Sequence, residues 1–377
     1  MAKANYQTIQ IKSGNIVFIS DIHFGWNTSS EEWQENQRDF FQSWFIPKLK
    51  ALVEQTPDIV LCCLGDVYHD RKTIDIDVNE MSIDLFEEMA GILPCYIING
   101  NHDLSKKTNK GNSSLRSLSN IKNLTIIKEP CMLKFTRDKK TLAQIAAIPY
   151  LGDCNEENKE LVRFSGKAQY AFMHTDISKM KFDNGMTIVG AVDAEKFAGK
   201  VISGHIHKRQ ETDKVIYVGC PYHLDRKDIG NQKGIYTLNL ETGVFDFIPN
   251  TYSPIFQKID IEKFMNMSDS DKAKALFNNY TDILIPEGEQ TKYKMADLRQ
   301  LLSESGAKRA EIQPVKSKTD KKDEIEDDGE HIEKTVEELI VQEIDSLNGY
   351  DDEYKSELKK LSKEYIDAAQ AELAAEI

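Results

Sequence analysis

The amino-acid sequence predicts a layered α/β fold, and two features of the chain support that prediction. Residues Ile16–Ser20 and Asp58–Leu64 are short apolar runs with the length and composition of buried strands. Between them, residues 31–55 carry apolar side chains at helical spacing, which is typical of a helix that connects two parallel strands. The same alternation continues along the chain, so helices should cover a sheet that is largely parallel.

The elements that follow repeat this pattern. A helix is predicted over residues 78–90 and a strand over Cys95–Ile98. Further strands are predicted at residues 143–148, 169–173, 200–203 and 215–218. Polar side chains directly follow several of these strands, and ligands of α/β proteins bind at the carboxyl edge of the sheet. A functional site is therefore expected at that edge.

The C-terminal third is predicted to form smaller, separate units. The composition changes near residue 250, and the pattern of residues 251–315 predicts a small α+β cap beside a main domain at 1–250. The predicted cap elements are a strand at 281–285, a helix near 293–304 and a strand near 308–313. Residues 316–330 are almost entirely charged, which predicts a flexible linker.

Residues 331–377 carry two amphipathic stripes separated by Asn348-Gly349, and this pattern predicts a helical hairpin. Two short helices bury too little apolar surface to be stable alone. We therefore expect the hairpin to bind a partner protein, with packing against the main domain as the alternative.

The charge of the chain is concentrated at its C-terminal end. The net charge is −14, and residues 311–377 carry nine basic and 21 acidic side chains. The rest of the chain is nearly neutral, so its composition does not exclude nucleic acid, whose phosphates are bound mainly by Lys and Arg. The sequence has no apolar run of membrane-spanning length and no signal-peptide pattern, so we expect a cytoplasmic protein. The six cysteines lack metal-binding spacing and are expected to be reduced core thiols.

Histidine and aspartate side chains are grouped in short motifs that follow predicted strands. Six of the eight histidines belong to these motifs. The motifs are Asp21-Ile22-His23, Gly65-Asp66 with His69, Gly100-Asn101-His102-Asp103, His174 and Gly204-His205-Ile206-His207. Each motif alone is a weak signal, but the ordered set is strong. Imidazole and carboxylate ligands without thiolates favour Mn²⁺, Fe²⁺, Zn²⁺ or similar ions.

The spacing of these residues predicts two metal ions. Residues i and i+2 of an extended strand point to the same side, so Asp21 and His23 can reach one ion, as can His205 and His207. Two ions about 3.5–4 Å apart need a shared ligand, and each oxygen of the Asp66 carboxylate can bind one of them. Such a pair generates hydroxide from water for in-line attack on phosphorus, so no covalent intermediate is expected.

In this order and spacing, the motifs resemble the metallophosphoesterase (calcineurin-like) superfamily over about residues 15–220. The resemblance implies a four-layer α/β/β/α sandwich with two divalent metal ions. Mn²⁺ is the expected metal, with Mg²⁺ or another divalent ion as the alternative. One metal would be held by Asp21, His23, Asp66 and His207, and the other by Asp66, Asn101, His174 and His205.

The same resemblance implies roles for two neighbouring residues. His102 would contact the scissile phosphate and protonate the leaving oxygen, and Asp103 would hold the other ring nitrogen of His102. Without the resemblance, Asp103 could instead cap the turn that follows it.

A narrower resemblance rests on the small cap, the acidic linker, and the strings GDVYHDRKTI at 65–74 and GCPYHLDR at 219–226. Together these features are similar to the SbcD-type DNA repair nucleases, most of all the recombination nuclease subunits of T-even-like phages. The similarity implies 3′→5′ exonuclease activity on duplex ends and endonuclease activity on single strands, in DNA repair, recombination and replication within the host cytoplasm. His69 would then be a second histidine on the phosphate side of the metals.

The narrower resemblance also implies partners. It implies an SMC-like coiled-coil ATPase bound through residues 331–373, a homodimer of the main domain, and DNA binding by the cap at 251–315. Four basic residues in a segment with ten basic and three acidic side chains (101–150) are candidate contacts to DNA phosphates, with a solvated loop as the alternative. They are Lys106, Lys107, Lys110 and Arg116.

Two other functions remain open from the sequence. A small-molecule phosphomonoesterase or cyclic-nucleotide phosphodiesterase would use the same metal site, although the cap and the C-terminal helices have no obvious use in such an enzyme. A scaffold that has lost catalysis would bind only DNA or the ATPase, but the complete set of ligands argues against it.

Overall fold

The computed structural model describes residues 6–105, 112–315, 344, 355–356 and 358–363. Met1–Val315 and Lys316–Ile377 form two compact units, which we describe separately. In the second unit the described residues are helical. The linker predicted at 316–330 and most of the predicted hairpin lie outside the described residues, so both stay predictions.

Two sheets form the body of the first unit. The order in the seven-stranded sheet is β1-β6-β7-β8-β9-β11-β10, and in the six-stranded sheet it is β13-β12-β2-β3-β4-β5. Their bounds are β1 (Thr8–Lys12), β2 (Asn15–Ile19), β3 (Ile59–Cys63), β4 (Cys95–Ile98), β5 (Leu124–Ile127), β6 (Cys131–Arg137), β7 (Lys140–Ile148), β8 (Tyr170–His174), β9 (Lys200–Gly204), β10 (Gln210–Glu211), β11 (Val215–Tyr217), β12 (Gly234–Asn239) and β13 (Phe245–Pro249). Strands β2 to β5 are parallel, as are β7, β8, β9 and β11.

Helices cover the outer faces of both sheets. The helices are α1 (Trp26–Ser29), α2 (Glu31–Asp39), α3 (Ile46–Gln55), α4 (Ile76–Ile92) and α5 (Cys154–Phe164). A π-helical turn at Phe40–Phe45 joins α2 to α3, so the helix predicted over 31–55 is confirmed with this irregularity inside it. Among the described residues, no helix combines the length and apolar character needed to cross a membrane.

The cores show why the strands are apolar throughout. In β2, Ile16 and Phe18 face the second sheet, whereas Val17 and Ile19 face the helices. The side chains of a strand alternate between its two faces, so a strand buried on both sides must be apolar at every position. Phe18 meets Phe172 of the other sheet edge-on, with ring centroids 5.0 Å apart. With α5 packed on the outside of the seven-stranded sheet, the predicted four-layer α/β/β/α sandwich is confirmed.

A third sheet forms the predicted small cap region and has its own core. Its parallel strands are β14 (Phe256–Asp260), β15 (Tyr280–Pro286) and β16 (Arg309–Val315), and its helices are α6 (Ile261–Met265), α7 (Asp269–Leu276) and α8 (Met295–Glu304). The sequence missed β14, α6 and α7. Arg226 fastens this sheet to the body through two hydrogen bonds to Asp282, at 2.7 and 2.8 Å.

Candidate active site

The seven predicted metal ligands all lie at the carboxyl ends of strands. The ends of β2, β3 and β4 in one sheet carry four of them, and the ends of β8 and β9 in the other sheet carry three. In chain order they are Asp21, His23, Asp66, Asn101, His174, His205 and His207. Because the two sheets pack face to face, these ends meet at one edge of the sandwich.

Four of the ligands have an unusual backbone conformation. The φ angles of Asp21, His23, Asp66 and His205 are 52°, 51°, 52° and 93°, in the left-handed region that side chains other than glycine rarely adopt. Such residues cost about 1–3 kcal/mol each and occur mainly at functional sites. The argument from strand alternation was therefore wrong, because Asp21 and His23 lie beyond the end of β2 in a loop. The residues it selected do come together.

Backbone hydrogen bonds hold these loops in place. Beyond the strand ends, Asp21 N donates to the carbonyl of Gly65 at 3.1 Å, and His23 N donates to that of Asp66 at 3.0 Å. The loops after β2 and β3 thus stay paired. Gly65, with φ of 94°, lies so close to His174 that a Cβ atom on it would come within 2.6 Å of the ring. Only glycine fits this position.

The first group of donors consists of Asp21, His23 and His207, whose ligand atoms all lie within 4.8 Å of one another. His23 Nε2 lies 3.0 Å from His207 Nε2 and 3.7 Å from Asp66 Oδ2. Asp21 and His23 are fully buried. Burial lowers the pKa of His23 well below its ordinary value, and the neighbouring His207 lowers it further. The His23 ring is therefore neutral and carries the lone pair that a metal ligand needs.

The second group consists of Asp66, His174 and His205, joined by Asn101. His174 Nε2 lies 3.2 Å from Asp66 Oδ1. Asn101 Oδ1 lies 2.9 Å from both His174 Nε2 and His205 Nδ1. Asp66 thus turns Oδ2 to the first group and Oδ1 to the second, as expected of a shared ligand. Burial opposes its ionisation, but His174 and the other nearby histidines hold the pKa of Asp66 well below its usual range.

The histidines of the second group differ in what their other ring nitrogens contact. His174 Nδ1 lies 2.7 Å from the Leu64 carbonyl, to which it donates, and this leaves Nε2 directed at Asp66. His205 Nδ1 faces the cluster, while its Nε2 lies 3.3 Å from a carboxylate oxygen of Asp176 without forming a hydrogen bond to it. A hydrogen bond from a carbonyl behind a ligating histidine fixes its tautomer and ring plane, and His174 has such a bond. No sequence motif pointed to Asp176.

The donor sets fit divalent cations. They combine buried carboxylates, imidazole nitrogens and an amide oxygen, the ligands favoured by Mn²⁺ and similar ions. When Asn101 Oδ1 points at the two histidine rings, it lies close to their ring nitrogens and to Asp66 Oδ1. A cation between these atoms would offset the repulsion between their lone pairs. Without one, buried carboxylates such as that of Asp21 are costly: burial raises the pKa of Asp21. These two observations fit a metal centre with two positions.

His102 and His69 lie beside the first group. The His102 ring centroid is 4.9 Å from that of His23, and the ring stacks on His69 at 5.4 Å with the planes 15° apart. The backbone N–H of His102 donates to Asp66 Oδ1 at 2.8 Å. Its ring Nδ1 lies 2.5 Å from the carbonyl of His69, so Nε2 is left for a substrate. The structure thus brings both predicted histidines to the centre.

Asp103 does not hold the His102 ring, and this corrects the sequence prediction. Its carboxylate accepts hydrogen bonds from four backbone N–H groups. The donors are Asp66, Val67, Tyr68 and Gly100, at 2.9, 3.0, 3.2 and 2.9 Å. Burial and the nearby charge of Asp66 raise the pKa of Asp103, whereas the four donors favour its charged form. Asp103 therefore anchors the loops after β3 and β4, and the partner of His102 is the His69 carbonyl.

An open cleft of about 650 Å³ leads to His102. Its walls include Gly25, Thr28, His69 and Arg71. Trp26 stands beside it, with its ring centroid 4.5 Å from that of His69. Sequence reasoning did not single out Trp26 or Arg71, since one tryptophan or one arginine in a polar loop carries no pattern.

The predicted DNA contacts remain largely untested. Lys106, Lys107 and Lys110 lie outside the described residues. Arg116 is exposed on a 3₁₀ turn at Ser114–Leu118, and its part in nucleic-acid binding stays a prediction.

Comparison with known proteins agrees with this site. The profile of the family described as calcineurin-like phosphoesterase matches residues 14–209, more than half of the chain. Exonuclease subunit 1 of Enterobacteria phage T4 is 29% identical over 217 residues, which are 54% of this chain and 62% of that protein. The chain therefore matches less than two thirds of the length of this relative.

Solved structures of phosphoesterases show a weaker likeness. The calcineurin-like phosphoesterase YfkN from Bacillus subtilis is 14% identical with a TM-score of 0.37, over 62% of this chain and 88% of that one. The nuclease MPE of Pseudomonas putida is 13% identical with a TM-score of 0.28, over 65% of this chain and 100% of that one. Scores this low carry no argument about function.

Proposed function

Because the chain belongs to the calcineurin-like phosphoesterase family, we propose that it is a two-metal nuclease that hydrolyses phosphodiester bonds in DNA. The observation that carries the proposal is the position of Asp66. Its two carboxylate oxygens face two separate donor groups, and the His102 amide binds one of those oxygens. The metal centre and the candidate proton donor are therefore parts of one unit.

The candidate ligands would hold two metal ions that support phosphoester hydrolysis. Asp21, His23 and His207 would hold one ion and Asn101, His174 and His205 the other, with Asp66 shared. Two bound divalent ions supply Lewis acidity to the phosphoryl oxygens and lower the pKa of water. The protein contributes the fixed loops that keep the ligands in place.

His102 handles the proton of the leaving group. Burial lowers its pKa, so at neutral pH the ring holds one proton, on the Nδ1 that faces the His69 carbonyl. An anionic phosphate bound nearby favours the charged imidazolium and raises that pKa. Substrate binding therefore loads Nε2 with the proton that the leaving oxygen needs.

Two features favour DNA over a small phosphoester. The cleft at His102 has a volume of about 650 Å³ and is open at the surface, as an extended substrate requires. The similar phage protein is named as an exonuclease subunit. We propose Mn²⁺ as the metal, 3′→5′ cleavage of duplex ends and nicking of single strands. A phosphatase for small esters is the alternative, since it would use the same centre.

The partners are part of the same proposal. We propose that residues 331–373 bind an SMC-like coiled-coil ATPase, that the body pairs with a second copy, and that the complex acts in DNA repair and recombination. The break between the two units at Val315 suggests a test by deletion of residues 316–377. The shortened protein should keep its metal-dependent hydrolysis and lose the ATPase in co-purification. Retention of the ATPase would contradict this assignment.

The activity itself is tested by digestion of end-labelled linear duplex DNA with Mn²⁺, using the wild type and His102→Ala. p-Nitrophenyl phosphate esters, a monoester and a diester, are assayed in parallel. Shortened DNA that requires both Mn²⁺ and His102 supports the nuclease. Turnover of either small ester with intact DNA, even after addition of the ATPase, would support the phosphatase. Silence in both assays from a metal-loaded protein would leave a scaffold.

A further inference from the structure

The structure holds the side-chain amide of Asn101 in one orientation, and exchange of its oxygen and nitrogen gives a second with opposite consequences. In one, Oδ1 lies 2.9 Å from His174 Nε2 and from His205 Nδ1, inside the second donor group. In the other, Oδ1 accepts a hydrogen bond from Arg71 Nη2, and the amide nitrogen lies 3.1 Å from Asp66 Oδ2. A side-chain amide has only one oxygen. That oxygen can either act as a ligand in the second group or accept a hydrogen bond from Arg71, but it cannot do both.

A metal ion decides between these orientations. A divalent cation binds the amide through its oxygen, never through the NH₂ group. Occupation of the second position therefore turns Oδ1 into the cluster and the NH₂ group toward Arg71. The guanidinium then faces another donor and loses its acceptor. Among the described residues, no salt bridge to Arg71 replaces that bond.

Arg71 is placed to take a new acceptor from the substrate. It lines the cleft together with His69 and His102, and it is half-buried. Its positive charge acts on His102, which lies beside the first group, and on Tyr150, whose ring lies near His174 and His205 of the second group. A guanidinium presents paired N–H donors that match phosphoryl oxygens, and partial burial strengthens such charged bonds.

We propose that Arg71 binds the phosphoryl group of the substrate, and that metal at the second position releases it from Asn101 to do so. The inference deepens the proposed function, since it rests on a phosphoester substrate at this centre. It makes the phosphate site incomplete until metal is bound. Metal therefore binds before the phosphate, and each ligand strengthens the binding of the other.

The proposal predicts changes of opposite sign when Arg71 is removed. In Arg71→Ala, Asn101 has no competing donor and the centre has one positive charge less, so Mn²⁺ should bind as tightly as in the wild type or more tightly. The phosphate ligand should bind the Mn²⁺-loaded protein about tenfold more weakly or worse, the loss expected for one charge-assisted hydrogen bond. If Arg71 only stabilised its loop, Arg71→Ala would weaken the binding of both Mn²⁺ and the phosphate ligand.

The test is calorimetric titration of the full chain, first with Mn²⁺ and then, in excess Mn²⁺, with dTMP as the probe. Arg71→Lys keeps the charge without the planar fork and should restore only part of the dTMP affinity. Lys122→Ala is the control, because Lys122 is exposed and lies outside the cleft, so its removal should change either affinity less than about threefold, as for a surface charge.

Two results would overturn the proposal. One is an unchanged dTMP affinity in Arg71→Ala, and the other is a parallel loss of Mn²⁺ and dTMP affinity in that variant. The nuclease proposal fails separately. If the wild type leaves DNA intact but Arg71→Ala still shows the opposite changes, the phosphate site stands and the substrate is a different phosphoester.

Discussion

The role of Asp103 offers the sharpest test, because sequence and structure assign it different partners. The carboxylate accepts four backbone N–H bonds, with Oδ1 facing Val67 and Tyr68 and Oδ2 facing Asp66 and Gly100. In Asp103→Asn, the amide oxygen still accepts two of these bonds, but the amide nitrogen faces the other two donors. The substitution therefore leaves two buried N–H groups without an acceptor while the shape of the side chain is preserved.

The size of the effect follows from those two groups. A buried donor left without a partner costs roughly 1–3 kcal/mol, so Asp103→Asn should lose about 2–6 kcal/mol of apparent unfolding free energy. That is a large share of the roughly 5–15 kcal/mol that stabilises a typical domain. If the amide nitrogen replaces Oδ2, the N–H groups of Asp66 and Gly100 lose their acceptor. Both groups lie beside the candidate ligands Asp66 and Asn101. We therefore also expect Mn²⁺ affinity to fall about 10–100-fold.

Urea unfolding of the metal-free protein and calorimetric titration with Mn²⁺ measure both effects. Asp70→Asn is the matched control, because Asp70 is an exposed carboxylate on the loop after β3 whose bonds to Lys72 and Thr73 are local. It should change stability by less than about 0.5 kcal/mol. If Asp103→Asn matches the wild type in unfolding and Mn²⁺ binding and loses only kcat, the carboxylate acts through His102 and the loop-anchor assignment is wrong.

Three further predictions concern the same centre. His102→Ala should lower kcat by about 10²–10⁴-fold, as for a lost proton donor, and should leave Mn²⁺ affinity within a few-fold of wild type. Steady-state kinetics and a matched Mn²⁺ titration measure the two effects. A large loss of metal binding would contradict the prediction. Burial would lower the pKa of His174, but its carboxylate neighbour raises it to about 9, so Mn²⁺ displaces a proton there. Mn²⁺ affinity should therefore rise as pH increases toward 9, and calorimetry in buffers of different ionisation enthalpy should detect the released proton; equal heats would refute it. Lys233 is 3% exposed, pairs with Asp228 and donates a hydrogen bond to the carbonyl of His207 at 2.6 Å. Lys233→Met should therefore lower the free energy of unfolding by about 3–5 kcal/mol and weaken Mn²⁺ binding. Denaturant unfolding tests the first effect, and an unchanged unfolding midpoint would exclude it.

The sequence was sufficient to identify the ligands because their signals are local. Strands buried on both faces must be continuously apolar, so Ile16–Ser20 and Asp58–Leu64 could be recognised as strands without knowledge of their neighbours. Each candidate ligand lies at the end of such a strand or shortly after it. The order of the motifs then placed the ligands at one edge of the sandwich, and the fold confirms that they meet there.

The reason for their convergence was beyond the sequence. Asp21 and His23 were expected to share a face of a strand, but both lie in a loop with positive φ, held by hydrogen bonds to the loop after β3. Positive φ at a residue other than glycine leaves no local pattern, because the surrounding structure enforces it. The missed cap elements β14, α6 and α7 are short, so their periodicity is weak.

By itself, the sequence determined the layered fold and selected the candidate ligands and the two candidate histidines that the structure brings together. Only the tertiary structure decided which group each of them faces. Asp103 anchors backbone N–H groups that lie more than 30 residues away in the chain, and Arg71 meets Asn101 across two loops. Every residue carries the same backbone donor and acceptor, so the partners of a buried carboxylate or guanidinium depend on which loops the fold brings together.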